Sequence, residues 1–513
     1  VTDRYDVVVV GGGHNALVAA AYLARAGRSV LVLERLDHAG GAAVSAAPFA
    51  GVRARLSRYS YLVSLLPDAI VHDLGLRVKL RSRAVASYTP TLRDGDPAGL
   101  LVERDPGAAT EESFRAITGS TAEFQAWQRF YGDLETVAGI VAPTLLEPLA
   151  SEEDFRSRVV AATGERVWEG LFERPIGEWI EETFTDDLVR GVAATDGLIG
   201  TWSSVRSPSL FANRCFLYHV IGNGTGEWRV PVGGIGAVTA ELTRAAIEAG
   251  ARIVTDATVF GVEADGRTGE VRYRYGDVEH TAGARWVLSG VAPWTLKTLR
   301  GLPTSPPPVG SQMKINMLLT RLPRLRTGVD PRLAFAGTMH LDESYVDLEN
   351  AYQASVSGQV LEFPPGEVYC HTLTDPSIVD GELHTMTLFG LHAPATLFGG
   401  DNARMRDELV RRHLAGLNRH LADPIEECLA RDAHGRPCLE ARTPLDLADE
   451  LNMPGGHIFH GDLAWPYRED GDTWGVSTDI ANLLVCGAGA RRAGGVSGIG
   501  GHNAAMAVLA ADR

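Results

Sequence analysis

The sequence is poor in cysteine. Cys215, Cys370, Cys428, Cys438 and Cys486 are five in 513 residues, and no two stand as C-x-x-C. An odd, sparse set excludes a disulfide framework and points to reduced thiols in a cytosol-like compartment. Long apolar runs are missing too. No stretch of about 18 apolar residues occurs, so no membrane span is expected, and the first residues, VTDRYD, carry no signal-peptide pattern. Positive charge is in deficit: 48 Lys and Arg face 64 Asp and Glu, a formal net charge of −16. Such a surface repels phosphate, which excludes nucleic acid and anionic lipid as primary partners. The expected location is the cytoplasm. Oligomerisation and peripheral membrane contact through a short apolar patch are left open. What remains is ordinary for a soluble globular protein, 45% hydrophobic and 22% charged. The length is too great for one core, so two or three structural units are expected.

The most informative stretch is Asp6 to Arg35, DVVVVGGGHNALVAAAYLARAGRSVLVLER. Val7 to Val10 reads as a buried parallel strand. Gly11, Gly13 and Ala16 follow in G-x-G-x-x-A spacing, then a helical pattern from about His14 to Ala26 that stops at Gly27. A second apolar run, Val30 to Leu33, ends in Glu34. Gly11 permits the tight turn, Gly13 lets backbone approach a pyrophosphate, and Ala16 lets helix pack on strand. The helix N-terminus offers free N–H groups to phosphates. Glu34, 21 residues after Gly13, can accept from both ribose hydroxyls. An acid there disfavours a 2′-phosphate, so NADP is the least expected dinucleotide. The Gly40-Gly41 doublet lets a loop pass close to the same pyrophosphate.

From about 108 to 227 the pattern is helical. Thr110 to Ser113 carries a capping-box signal. Trp127, Phe130, Leu134 and Val137 form a core stripe, as do Trp179, Ile180 and Phe184. This segment reads as an inserted domain or cap. At WRVPVGGIGAVTAEL the chain resembles a second nucleotide loop, with Gly234 and Gly236 spaced correctly. Thr239 in the third small position and Pro231 in the lead-in strand argue instead for a return into the first domain. A hairpin follows through VRYRY, then a buried strand in RWVLSG. MKINMLLT, 313–320, alternates like a strand, and 403–421 reads as a helix with a basic face. His457 and His460 lack a third ligand, so no metal is expected. Near the C-terminus NLLVCGAG reads as a buried strand, ARRAGGVSGIGGHN as a glycine-rich loop, and NAAMAVLAAD as a helix starting near Asn503. Strand, glycine turn and helix N-terminus make an anion site.

Taken together, VVVVGGGHNALVAAAYLARAG, LERLDHAGGAAV, SRYSYLVSLL, VPVGGIGAVTAEL, MPGGHIFHGDL and CGAGARRAGGVSGIGGHNAA resemble the FAD-dependent phytoene-desaturase-like oxidoreductases, within the wider amine-oxidase-type flavoprotein group. The nearest branch is the one named for a pyridine nucleotide-disulphide oxidoreductase domain. The resemblance spans nearly the whole chain. It implies an α/β fold: a Rossmann-type FAD-binding domain, glutathione-reductase-like or amine-oxidase-like, with an inserted α+β substrate domain and a helical cap. The FAD domain would be discontinuous, 1–85, 228–305 and 470–513. The substrate and cap domain would take 86–227 and 306–469. It implies FAD as cofactor, held by Gly11, Gly13, His14, Asn15, Ala16, Glu34, Arg35, Gly40, Gly41, Ala42 and Ala43. Val259 would meet adenine through its backbone, and Gly487, Gly489, Gly495 and Val496 would lie by the ribityl and flavin. The chain departs from relatives at Arg491 to Gly495, at Ala42 and at His502, so the carotenoid substrate is not carried over.

The implied reaction is hydride transfer from a substrate C–H to flavin N5, in desaturation or dehydrogenation of an apolar or conjugated small molecule. Lys314 is the first catalytic candidate, because a lysine in a similar strand reaches N5 through water in amine-oxidase-type relatives. Arg491 and His502 are candidates as charge partners of the reduced flavin. Two alternatives stand beside this: a flavin amine oxidase, and a flavin-bearing scaffold with little turnover.

Overall fold

The apolar run at Val7–Val10 forms the buried half of the strand Asp3–Val10, and a seven-stranded sheet is built around it. The computed structural model describes residues 3–469 and 471–512. In this sheet Asp3–Val10 pairs in parallel with Val30–Leu33 on one side and with Val278–Ser289 on the other. Arg252–Val254 extends the Val30–Leu33 edge in parallel. The chain after Gly236 therefore does return to the first sheet. The hairpin of Ala257–Ala264 and Gly269–Tyr275 lies beyond the near half of Val278–Ser289. The C-terminal strand Leu483–Val485 pairs in parallel with its far half. Helices His14–Arg25, Ile235–Glu248 and Ile499–Ala511 cover this sheet.

The second sheet also has seven strands, in the order Leu439–Arg442, Met313–Leu319, His384–Gly390, Gly366–Tyr369, Thr338–Leu341, Val85–Arg93 and Asp96–Glu103. Met313–Leu319 alternates in sequence, yet all seven residues are buried. The reason is that both faces are covered. Met313, Ile315, Met317 and Leu319 enter one core, while Lys314 and Asn316 on the other face bond to the carbonyls of residues 57–59.

The helical cap runs from Ala108–Thr118 through Ala122–Val141 to Phe211–Ile221. The stripes read from sequence, including Trp127, Phe130 and Trp179, meet in one core. The capping box does not form. The first cap helix starts at Ala108, so Thr110 is inside it, and its Oγ1 accepts from Glu103 N on the neighbouring strand at 3.0 Å. The C-terminal helix likewise begins at Ile499, ahead of Asn503, because Gly498 turns at φ +74°. No helix among the described residues is long and apolar enough to cross a membrane.

Candidate active site

The two ends of the chain meet at one cavity. Gly11 turns at φ +86°, where glycine is favoured, and brings the first helix beneath the loop that follows Cys486. His14 Nε2 donates to Gly495 O at 2.9 Å, and Asn15 Nδ2 donates to Ala493 O at 3.4 Å. The C-terminal helix crosses the first so closely that a Cβ on Gly501 would lie 1.8 Å from Asn15 O. Ala16 faces Gly290, just past the end of the strand Val278–Ser289: a Cβ on Gly290 would lie 3.0 Å from that of Ala16.

The cavity measures about 930 Å³, at the upper end for a small-molecule site. Its lining includes Glu34, Arg35 and Val259, the glycine-loop residues Gly11, Gly13, Gly41 and Ala42, and Gly487, Gly495 and Val496 from the C-terminal loop. Its features fit a dinucleotide. A Cβ on Gly13 would meet nothing within 4 Å, so the backbone there opens onto free space. Glu34 accepts from Gly12 N at 2.7 Å and from Leu36 N at 2.8 Å, which leaves carboxylate lone pairs for a diol. His14 Nδ1 and Asn15 Oδ1 are buried beside the cavity without a protein partner.

Farther in, the second sheet supplies the wall. Strand register aligns Arg442, Lys314, Phe389, Glu367 and His340 in one cross-strand row, and all five line the cavity. Lys314 Nζ donates to Ser57 O at 2.5 Å and to Tyr59 O at 2.7 Å, and lies 4.6 Å from the Tyr61 ring centre. It is 4% exposed, and burial holds its pKa well below the ordinary lysine value. Tyr61 and Tyr369 form an aromatic pair with centroids 4.9 Å apart. The Tyr369 hydroxyl donates to Glu367. Burial and the neighbouring Glu343 push Glu367 up to about 8. His340 Nδ1 stands 2.7 Å from Glu343 Oε2; burial opposes its charge, but that carboxylate wins and raises its pKa. The opposite wall is the cap, with Trp127, Tyr131, Leu134 and Ile199.

A family model described as an NAD(P)-binding Rossmann-like domain matches residues 9–77. A protein of Mycobacterium tuberculosis is 48% identical, over 99% of this chain and 98% of its own. The mouse pyridine nucleotide-disulfide oxidoreductase domain-containing protein 2 is 30% identical, over 99% of this chain and 93% of its own. The chain belongs to that family. Among solved structures, putrescine oxidase bound to putrescine aligns over 100% of both chains with a TM-score of 0.59 at 17% identity. The chain thus has the fold of the amine-oxidase-type oxidoreductases.

Within this family member, most of the residues expected at the nucleotide line the cavity; Gly40, Ala43 and Gly489 do not. A Cβ on Gly40 would strike Thr239, Ala43 O accepts from the Thr239 hydroxyl, and Gly489 is packed against Pro293. These three hold neighbouring elements together. Arg491 and His502 also lie off the cavity, which corrects the charge-partner role expected of them. Arg491 Nη1 donates to Tyr467 O at 2.8 Å and to Glu469 at 2.9 Å. His502 stands edge-on to Tyr22, its ring centre 5.0 Å away. Sequence reasoning passed over Arg83, Tyr61, Tyr369, His340 and Glu367. Each is unremarkable alone; strand register brings His340, Glu367 and Tyr369 together, and loop residues Tyr61 and Arg83 pack against Tyr369. Arg492, noted in the sequence only as a departure from relatives, is a buried guanidinium at φ +69° that donates to Thr144 O and Glu147 O and ties the C-terminal loop to the cap.

Proposed function

We propose that the chain is an FAD-dependent oxidoreductase that oxidises a C–H bond of an apolar or conjugated small molecule. One observation carries this reading: the glycine loop with Glu34, the glycine loop after Cys486, and Lys314 all line one cavity. Bound there, the flavin would supply a two-electron acceptor for hydride. Gly13, Glu34, His14 and Asn15 would hold the dinucleotide. The side chains of this chain do the rest. The cap and the Tyr61–Tyr369 pair exclude water from the reacting end. Lys314 is fixed by two carbonyl oxygens, and burial lowers its pKa, which suits the amine to taking or giving a proton.

A flavin amine oxidase is the second reading. The Tyr61–Tyr369 pair beside Lys314 favours it, as does the fold shared with putrescine oxidase. Purified protein is expected to be yellow and to release FAD on denaturation. Anaerobic addition of a substrate should bleach it, and a set containing amines and conjugated hydrocarbons distinguishes the two readings. Yellow protein that no compound bleaches would favour a scaffold. Colourless protein that binds NADH tightly would defeat the flavin assignment.

A further inference from the structure

Two cations line the inner cavity without a carboxylate within ion-pair distance among the described residues. One is Lys314, which is satisfied by two carbonyls. The other is Arg83. Its Nε donates to Trp228 O at 3.1 Å and its Nη1 to Thr338 Oγ1 at 3.2 Å. A guanidinium has five N–H groups, so a fork of donors is left facing the cavity. The guanidinium carbon lies 5.8 Å from the Tyr369 ring centre. Lys314 and Arg83 thus flank the Tyr61–Tyr369 pair from opposite ends.

The charges around Arg83 do not cancel it. Glu227 is paired with Arg104. Glu343 is paired with His340. Burial drives Glu367 and Asp196 toward their neutral forms. Arg442, by contrast, pairs with the Glu450 carboxylate, and Arg35, which is exposed, donates to the Glu450 backbone carbonyl. Arg83 is the one half-buried cavity guanidinium that has no carboxylate partner among the described residues. A planar fork of that kind matches a carboxylate. The cap brings Trp127, Tyr131, Val192 and Val220 to the cavity lining, interspersed with polar Gln128 and Asp196, and the exposed Asp105 and Pro106 next to Arg104 line the same cavity.

We propose that Arg83 anchors the carboxylate of the substrate, so that the cavity takes an apolar molecule ending in a carboxylic acid, with the part remote from the acid beside Lys314. This deepens the oxidoreductase reading and rests on it for the word substrate; the anion site itself does not depend on the flavin.

The test is binding of a matched set of ten-carbon probes to the protein as purified, followed by tryptophan fluorescence and calorimetry: decanoate, decyl phosphate, decylamine and decan-1-ol. Decanoate should bind at least tenfold tighter than decan-1-ol. Arg83→Met should abolish that preference while leaving decan-1-ol binding unchanged, and Arg83→Lys should retain part of it. Thermal melting of both variants checks that they fold, and Arg83→Lys carries the test if Arg83→Met does not. Equal binding of decanoate and decan-1-ol, a preference for decylamine or decyl phosphate, or an Arg83-independent preference for decanoate would each overturn the proposal. Bound flavin is read separately by visible absorbance. Loss of the flavin reading would therefore show as colourless protein, and loss of this one as indifference to the acid group.

Discussion

At the scale of single residues, two buried titratable groups in one cross-strand row carry opposite signs. Lys314 is held well below the ordinary lysine value of 10.5 by burial. Below that pH the unfolded chain binds a proton that the folded chain does not, until its own lower pKa is reached. Stability therefore rises with pH across this window. Lys314→Met removes the slope, so the melting temperature of the variant relative to the parent should rise as the pH is lowered from about 10. Its flavin reduction and reoxidation should slow by about 10²-fold, the scale of a lost acid–base group. Unchanged rates in stopped-flow measurement would remove Lys314 from the chemistry. Glu367 behaves conversely. Folding raises it from 4.5 to about 8, so its contribution is fully present below pH 4.5 and is lost as pH climbs to 8. The slope cannot exceed ~1.4 kcal/mol per pH unit. Glu367→Gln should flatten urea-derived stability across that range and should be the more stable form at pH 8. Parallel curves for parent and variant would show that Glu367 titrates normally.

At the scale of elements, two glycines separate binding from folding. Gly13 has a backbone that alanine can adopt, φ −66° and ψ 166°, and an added Cβ would meet no protein atom. Gly13→Ala should melt within a few degrees of the parent yet purify with several-fold less flavin. Gly501 is the reverse case. Its Cβ would strike a backbone oxygen of the first helix, and no flexible side chain is there to move. Gly501→Ala should cost at least ~1–3 kcal/mol, the scale of an overpacked contact, whether or not flavin is supplied. Equal flavin content in Gly13→Ala and parent would place the nucleotide elsewhere. The elements themselves were largely legible. The first helix, expected from His14 to Ala26, is His14–Arg25, and the basic helix expected over 403–421 is Asn402–His420. The capping box at Thr110 misled because the same residue types that cap a helix also bond a neighbouring strand. The alternation of Met313–Leu319 was legible as a strand but not as one buried on both faces, since that depends on what packs above it.

At the scale of the whole molecule, the cavity exists because the first helix and the C-terminal helix cross while the second sheet and the cap close over them. Local pattern determined the nucleotide loop, the acid that ends the second strand, the helical character of the cap and the absence of a membrane-spanning run. Each of these follows from a period, a turn residue or a composition that acts over a few residues. Tertiary structure alone decided that Lys314 is buried on two carbonyls, that Arg491 and His502 lie off the cavity, and that Arg83 faces it without a carboxylate. Those outcomes depend on register between strands far apart in the chain and on which charges find partners at closure. A side chain's neighbours across a sheet are set by packing, and no spacing within the sequence encodes them.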